Sequence, residues 1–194
     1  MLVVFFWIKL HGFISVFILW NHYEFRYVYV IDLCCSIFSI IKNEQKKMPP
    51  HLNTDFYHQH AINLCYSYQQ LFNKPLIQPS QKAPLIQQLF NAPFALLSHG
   101  LEDDPIFNFG NQTALALFEY NWDAFTQLPS RLSAKAVDQS ERQRLLDAVS
   151  QQGFIDNYAG IRIAASGREF LIENAVVWNV VNKDGLYCGQ AALI

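Results

Sequence analysis

GFIDNYAGIRIAASGREFLIENAVVWNVVNKDGLYCGQAALI, residues 153–194, is the stretch that decides the fold. Ile155 to Ala164 alternates in polarity, Ser166-Gly167 turns the chain, and Glu169 to Val181 is long and rich in β-branched residues. Asn182-Lys183-Asp184-Gly185 makes a hairpin turn into a last strand, Leu186 to Ile194. Strands joined by such short turns pair antiparallel. If the long strand has no bulge, Phe170, Ile172, Asn174, Val176, Trp178 and Val180 share one face. Leu171, Ala175, Val177 and Val181 then share the other with Glu169 and Glu173. Both faces are apolar toward the C-terminal end, so both are expected to be covered.

Upstream, Asp138 to Glu141 has a capping-box pattern that opens a helix to Gln152, closed by Gly153. Before it, Phe94 to Ser98 and Ile106 to Phe109 read as strands around a turn, His99 to Pro105. Glu102, Asp103 and Asp104 lie in that turn and read as a solvated loop rather than a cation site. Asn111 caps a short helix through Glu119, and Asn121 caps another carrying Trp122, Phe125 and Leu128, ended by Pro129. Two strands, a helical middle and three more strands imply an α+β fold. Its five-stranded antiparallel sheet should carry short helices on one face and enclose a small cavity.

Residues 48–82 add an N-terminal amphipathic helix and a linker marked by Pro75 and Pro79, ahead of a domain at 83–194 that opens with a short helix from Pro84 to Phe90. Thr54 to Phe72 has an apolar stripe including Tyr57, Leu64, Tyr68 and Leu71, and a polar side with His58, Gln59, Asn63, Ser67 and Gln70. The stripe is expected to cover Leu171, Ala175, Val177 and Val181, in its own chain or in a partner's. His51, His58 and His60 lack the spacing of a metal set and read as polar surface.

Residues 1–47 are unlike the rest. They hold two broken apolar runs, Leu2 to Trp20 and Tyr27 to Ile41, with one Gly and no Pro. Each run is marginal or short for a membrane span, although Lys42, Lys46 and Lys47 suit a cytoplasmic exit. The favoured reading is a misassigned start. Asn43-Glu44-Gln45-Lys46-Lys47 implies a purine-rich tract ahead of Met48, as in a bacterial ribosome-binding site. A membrane segment is the alternative.

Across the whole chain of 194 residues the net charge is −2, with 52% apolar and 15% charged residues, which excludes a disordered chain. No Lys/Arg cluster follows Lys47, so nucleic acid is not an expected partner. Cys34, Cys35, Cys65 and Cys188 form no CxxC and read as reduced thiols, which suits a cytoplasmic protein.

A series of specific motifs runs along the chain. They begin with Ala92-Pro93-Phe94, Leu97-Ser98-His99-Gly100, Asp104-Pro105-Ile106, Gly110-Asn111 and Ala114 to Glu119. Trp122, Leu128-Pro129-Ser130-Arg131, Gly153-Phe154-Ile155 and Tyr158 to Ile163 follow. Val177-Trp178-Asn179 and Gly189-Gln190-Ala191-Ala192 complete the set, which resembles the MEKHLA domain, a family similar to PAS domains, from about Tyr57 to the C-terminus. The family occurs at the C-terminus of plant class III homeodomain–leucine zipper factors and as stand-alone bacterial, cyanobacterial and algal proteins. With no homeodomain and no leucine heptads, this chain looks like the stand-alone form. The resemblance implies sensing or regulated association, as a homodimer or with a protein partner, rather than catalysis.

Motifs for nucleophilic, phosphate-binding and zinc chemistry, GxSxG, GxGxxG, the Walker loop and HExxH, are missing from the sequence. The Asn-Cys-Arg motif with which photoactive PAS relatives bond flavin is also missing. After His60 the only histidine is His99, at a strand end, which is poor for haem ligation. A mainly apolar pocket near Phe118, Trp122 and Trp178 is expected to take a small organic ligand. Its candidate polar groups are His99, Asn111, Arg131, Arg162, Asn179 and Gln190. The same residues have a structural reading: Asn111 as helix cap, Arg131 and Arg162 paired with carboxylates, Asn179 and Gln190 bonded across strands. A small enzyme using the cavity and a membrane-tethered sensor are the rival functions.

Overall fold

Local signals build most of the elements. The computed structural model describes residues 49–135 and 139–194, so the readings made for residues 1–47, Met48 and the Asp138 cap lie outside the described residues. Helix α1 (Asp55–Phe72) starts where the Tyr57 N–H donates to Thr54 Oγ1 at 3.4 Å, and it stops at Asn73, whose left-handed φ of 52° ends the helical path. Helix α2 (Leu85–Phe90) follows Pro84. Strands β1 (Leu96–His99) and β2 (Phe107–Gly110) form the first hairpin. Asn111 and Asn121 cap α3 (Gln112–Phe118) and α4 (Trp122–Phe125) through their side-chain oxygens. Helix α5 (Gln139–Gln152) then leads, through Gly153 at φ 93°, into β3 (Phe154–Ile163), β4 (Glu169–Val181) and β5 (Tyr187–Leu193).

The sheet is antiparallel throughout, in the order β2-β1-β5-β4-β3. The first hairpin therefore docks against the last strand, and the helices between β2 and β3 must cross one face to make that connection. This is the PAS-like α+β architecture expected from the sequence. Helix α1 and the linker belong to the same compact unit as the sheet.

Two layers result. On the outer face, α1 and α2 bury Ala61, Leu64, Tyr68, Ile86 and Leu89 against Leu96, Phe109, Trp178 and Val180. On the inner face, α3 and α4 bury Ala114, Phe118 and Phe125 against Leu97 and Phe107. Helix α1 does cover a sheet face, but against other residues than the unbulged strand implied. Asn174 has φ 54° and adds one residue to β4 between the pairs Tyr158↔Ala175 and Gly160↔Ile172. Asn157, also at φ 54°, adds one to β3 between Ile155↔Val177 and Tyr158↔Ala175. Asparagine tolerates this conformation better than other side chains, and each bulge inverts the alternation beyond it. Phe170, Ile172, Ala175 and Val177 consequently face inward, whereas Val176, Trp178 and Val180 meet α1. Leu171 is left 59% exposed beside its neighbour Ile161 at 41%.

The buried stripe of α1 is also less apolar than its sequence suggests. His60, Asn63 and Ser67, read as polar surface or as part of the solvated side, are buried. Long-range partners explain it. Ser67 Oγ donates to the Asn63 carbonyl at 2.7 Å and accepts the Trp178 indole N–H at 3.1 Å. Ser98 Oγ donates to Asn108 Oδ1 at 2.6 Å, so the 2.8 Å contact with His60 assigns the proton to the imidazole Nε2. Burial pushes the His60 pKa down to about 4, keeping the ring neutral.

Candidate functional site

The inner layer leaves a cavity of about 50 Å³ between the sheet, α3 and the turn at Ser130–Ser133. Small residues on the central strands make the room. Ala175 on β4 and Ala192 on β5 stand beside Ile172 and Val177, and Leu97, Phe107 and Phe118 close the apolar wall. Polar groups enter from the rim: Ser133, Tyr158, Arg162, His99 and Gln190.

His99, Gln190 and Asn179 are cross-strand neighbours on β1, β5 and β4. His99 Nδ1 donates to the Gly100 carbonyl at 3.0 Å. Gln190 Nε2 donates to Asn179 Oδ1 and to Ser150 Oγ, each at 3.1 Å. Asn179 Nδ2 in turn donates to the Val149 and Ser150 carbonyls in the last turn of α5, at 3.0 and 3.3 Å. An amide chain thus ties one end of the cavity to the end of α5.

At the other end, Tyr158, Gly160 and Arg162 alternate along β3 and share its inner face. The Arg162 guanidinium lies 5.1 Å from the Tyr158 ring centroid; it donates to the Tyr158 hydroxyl at 2.7 Å and to the Ile161 carbonyl at 2.9 Å. A Cβ on residue 160 would stand 2.5 Å from the Tyr158 oxygen and 3.3 Å from an Arg162 nitrogen, so only glycine leaves this pair its place.

Of the nine residues named from sequence, His99, Phe118, Arg162 and Gln190 line the cavity, and Asn179 braces it from behind. The other four lie elsewhere. Trp178 faces α1, because the Asn174 bulge turned it outward. Trp122 belongs to the same outer layer, stacked on His51 at 4.5 Å and edge-on to Tyr57 at 5.5 Å. Asn111 is fully buried as a rivet. Its oxygen accepts from Leu96 N and Ala114 N, and its amide donates to the Phe94 and Leu89 carbonyls, joining α2, β1 and α3. Arg131 sits at the surface, paired with Asp104 at 3.0 Å. Sequence reading passed over Tyr158 and Ser133 as site residues. The i, i+2, i+4 spacing of Tyr158, Gly160 and Arg162 was the available signal for the first; Ser133 carried none.

The MEKHLA domain profile matches residues 58–194, a span that contains the whole sheet, most of α1 and every residue of the cavity wall. The chain belongs to the MEKHLA domain family. Homeobox-leucine zipper protein HOX29 from Oryza sativa subsp. indica is 29% identical over 129 residues, 63% of this chain and 15% of that protein. The MEKHLA chain therefore spans a small part of that relative's length. Among solved structures, an RNA-binding light-oxygen-voltage receptor is similar with a TM-score of 0.50 at 18% identity, over 62% of this chain and 35% of that one. The PAS domain of a protein from Colwellia psychrerythraea has a TM-score of 0.47 at 15% identity, over 55% and 88% of the respective chains. At such identities the likeness concerns the fold alone.

Proposed function

We propose that this MEKHLA domain is a sensory or regulatory module that binds a small organic ligand in its inner cavity and passes the effect to a protein partner or a second copy. The observation that carries this reading is the cavity itself, an apolar chamber with a few converging polar groups. Its size limits the occupant. An apolar cavity of roughly 150 Å³ holds benzene, so about 50 Å³ suits only a few heavy atoms.

The amide chain from Gln190 through Asn179 to α5 offers a route by which occupancy could be felt outside the cavity. The exposed cross-strand pair Ile161 and Leu171 supplies apolar surface for a partner. An enzymatic role finds little support, since among the described residues no Asp, Glu or Cys stands in the cavity wall. Ser98 is bonded to His60, beneath α1. The Cys65 and Cys188 thiols are free, in keeping with a cytoplasmic setting. Among the described residues no helix is long and apolar enough to cross a membrane. Tethering through residues 1–47 would change the address and leave the cavity's role as it is.

Native mass spectrometry of the gently purified full chain tests the proposal, because ligand and stoichiometry appear in one spectrum. A retained small-molecule adduct or a defined oligomer is the expected result. A bare monomer from every preparation, with no adduct on adding small organic acids, amides or alcohols, overturns it.

A further inference from the structure

Charges in this domain are paired in an unexpected way. Arg131, Lys135 and Arg168 are about half exposed, where ion pairs contribute little, yet each has a carboxylate: Asp104, Glu169 and Glu119. Arg162 is only 8% exposed, where a lone charge is most costly, and among the described residues no carboxylate pairs with it. A guanidinium has five N–H donors, and the hydrogen bonds to Tyr158 and Ile161 occupy two of the five. The side chain is nevertheless held in place, stacked on Tyr158 in space that Gly160 keeps open, and it forms part of the cavity wall. Arg162 is thus a braced, buried cation in the wall of an otherwise largely apolar cavity.

We propose that the cavity binds a short-chain monocarboxylate, its carboxylate on Arg162 and its alkyl end against Ile172, Val177 and Phe118. This rests on reading the cavity as a ligand site and names the ligand's class. Three features select the chemistry. Planar carboxylates match the guanidinium fork with two parallel hydrogen bonds. Among the described residues of the wall Arg162 is the one Lys or Arg and no carboxylate stands beside it, which matches the single negative charge of a monocarboxylate better than the two of a phosphate monoester. A volume of about 50 Å³ admits an acid the size of acetate or propionate and little more.

The test titrates the full chain with propionate, propionamide and chloride at constant ionic strength, following the Arg162 Nε–H resonance and the melting temperature. Propionate should bind saturably and about tenfold or more tightly than propionamide, since charge-assisted hydrogen bonds are roughly twice as strong as neutral ones. Arg162→Met should abolish that preference. Gly160→Ala, which displaces the Tyr158–Arg162 pair without removing either, should weaken propionate about tenfold while the protein still melts cooperatively. Equal binding of acid and amide would overturn the carboxylate assignment and leave a ligand cavity standing. A chloride response equal to that of propionate would reduce the site to a simple anion contact and overturn it as well. No response to any of the three, in a folded protein whose native mass spectrum retains a different molecule, would sink the carboxylate and spare the sensor.

Discussion

The outer face of the sheet sets Trp178, Val176 and Val180 against Leu64 and Tyr68, while the inner face sets Ala175, Val177 and Ala192 around a void. Both faces are built from the same strands, yet their side chains follow opposite rules. Outside, aromatic rings interlock, with Tyr68 and Trp178 centroids 5.2 Å apart, and the buried His60 and Ser67 are hydrogen-bonded, His60 to Ser98 and Ser67 to the Asn63 carbonyl and the Trp178 indole. Inside, small residues withhold volume, and among the described residues no carboxylate pairs with the Arg162 cation. One face is filled and neutral, and the other keeps space and charge. Stability should therefore depend on the first and ligand response on the second.

The most drastic way to break this contrast is to remove residues 48–75. Baring the outer face should abolish folding or cause aggregation, because burial of four large apolar side chains contributes roughly 6–10 kcal/mol, as much as a typical domain's net stability. A soluble truncated domain with an unchanged melt would show α1 to be dispensable. Next in size is Trp178→Ala, expected to lose about 3–5 kcal/mol, through the cavity left and the Ser67 bond removed. Chemical denaturation would measure it.

Acid should act through the outer face as well. His60 has a folded pKa of about 4 against an ordinary 6.5, so the unfolded chain binds the proton more readily. The contribution is fully present above pH 6.5 and is lost as pH falls toward 4, by up to about 3 kcal/mol. Denaturation midpoints across that window should slope less steeply in His60→Gln; an identical slope would remove His60 from the account.

On the inner face the expected pattern reverses. Ala175→Val should change stability by less than about 1 kcal/mol while filling the cavity and suppressing ligand binding. The smallest effect belongs to Arg131→Ala, about 0.5 kcal/mol or less and with no change in ligand response, because its pair with Asp104 is half exposed. Either variant behaving like Trp178→Ala would erase the distinction between the faces.

What was legible in the sequence was local. Thr54, Asn111 and Asn121 announced helix starts because a cap needs only its own next turn. The hairpin at Asn182–Gly185 was equally plain, with Asn182 Oδ1 accepting from Asp184 N and Leu186 N. Two kinds of information stayed hidden. The faces of β4 depend on Asn174, which looks like an ordinary strand residue until its backbone is seen. The burial of Ser67 depends on an indole 111 residues away, beyond the reach of any periodic pattern. Of the site, the sequence showed the family's polar motif residues but not which of them converge. Arg162 and Trp178 were candidates of equal standing until the bulges sent them to opposite sides.

Those bulges give β4 something like a reading frame. Substituting Asn174 would strain one peptide unit, but excising it would turn the following half of the strand over with its letters intact. The indole would then swing toward the guanidinium and Val177 toward the helix, exchanging scaffold and receptor in a single step. Among homologues, a gap aligned to this position should therefore be rarer than any replacement of the asparagine, and where one occurs a second gap near Asn157 should accompany it.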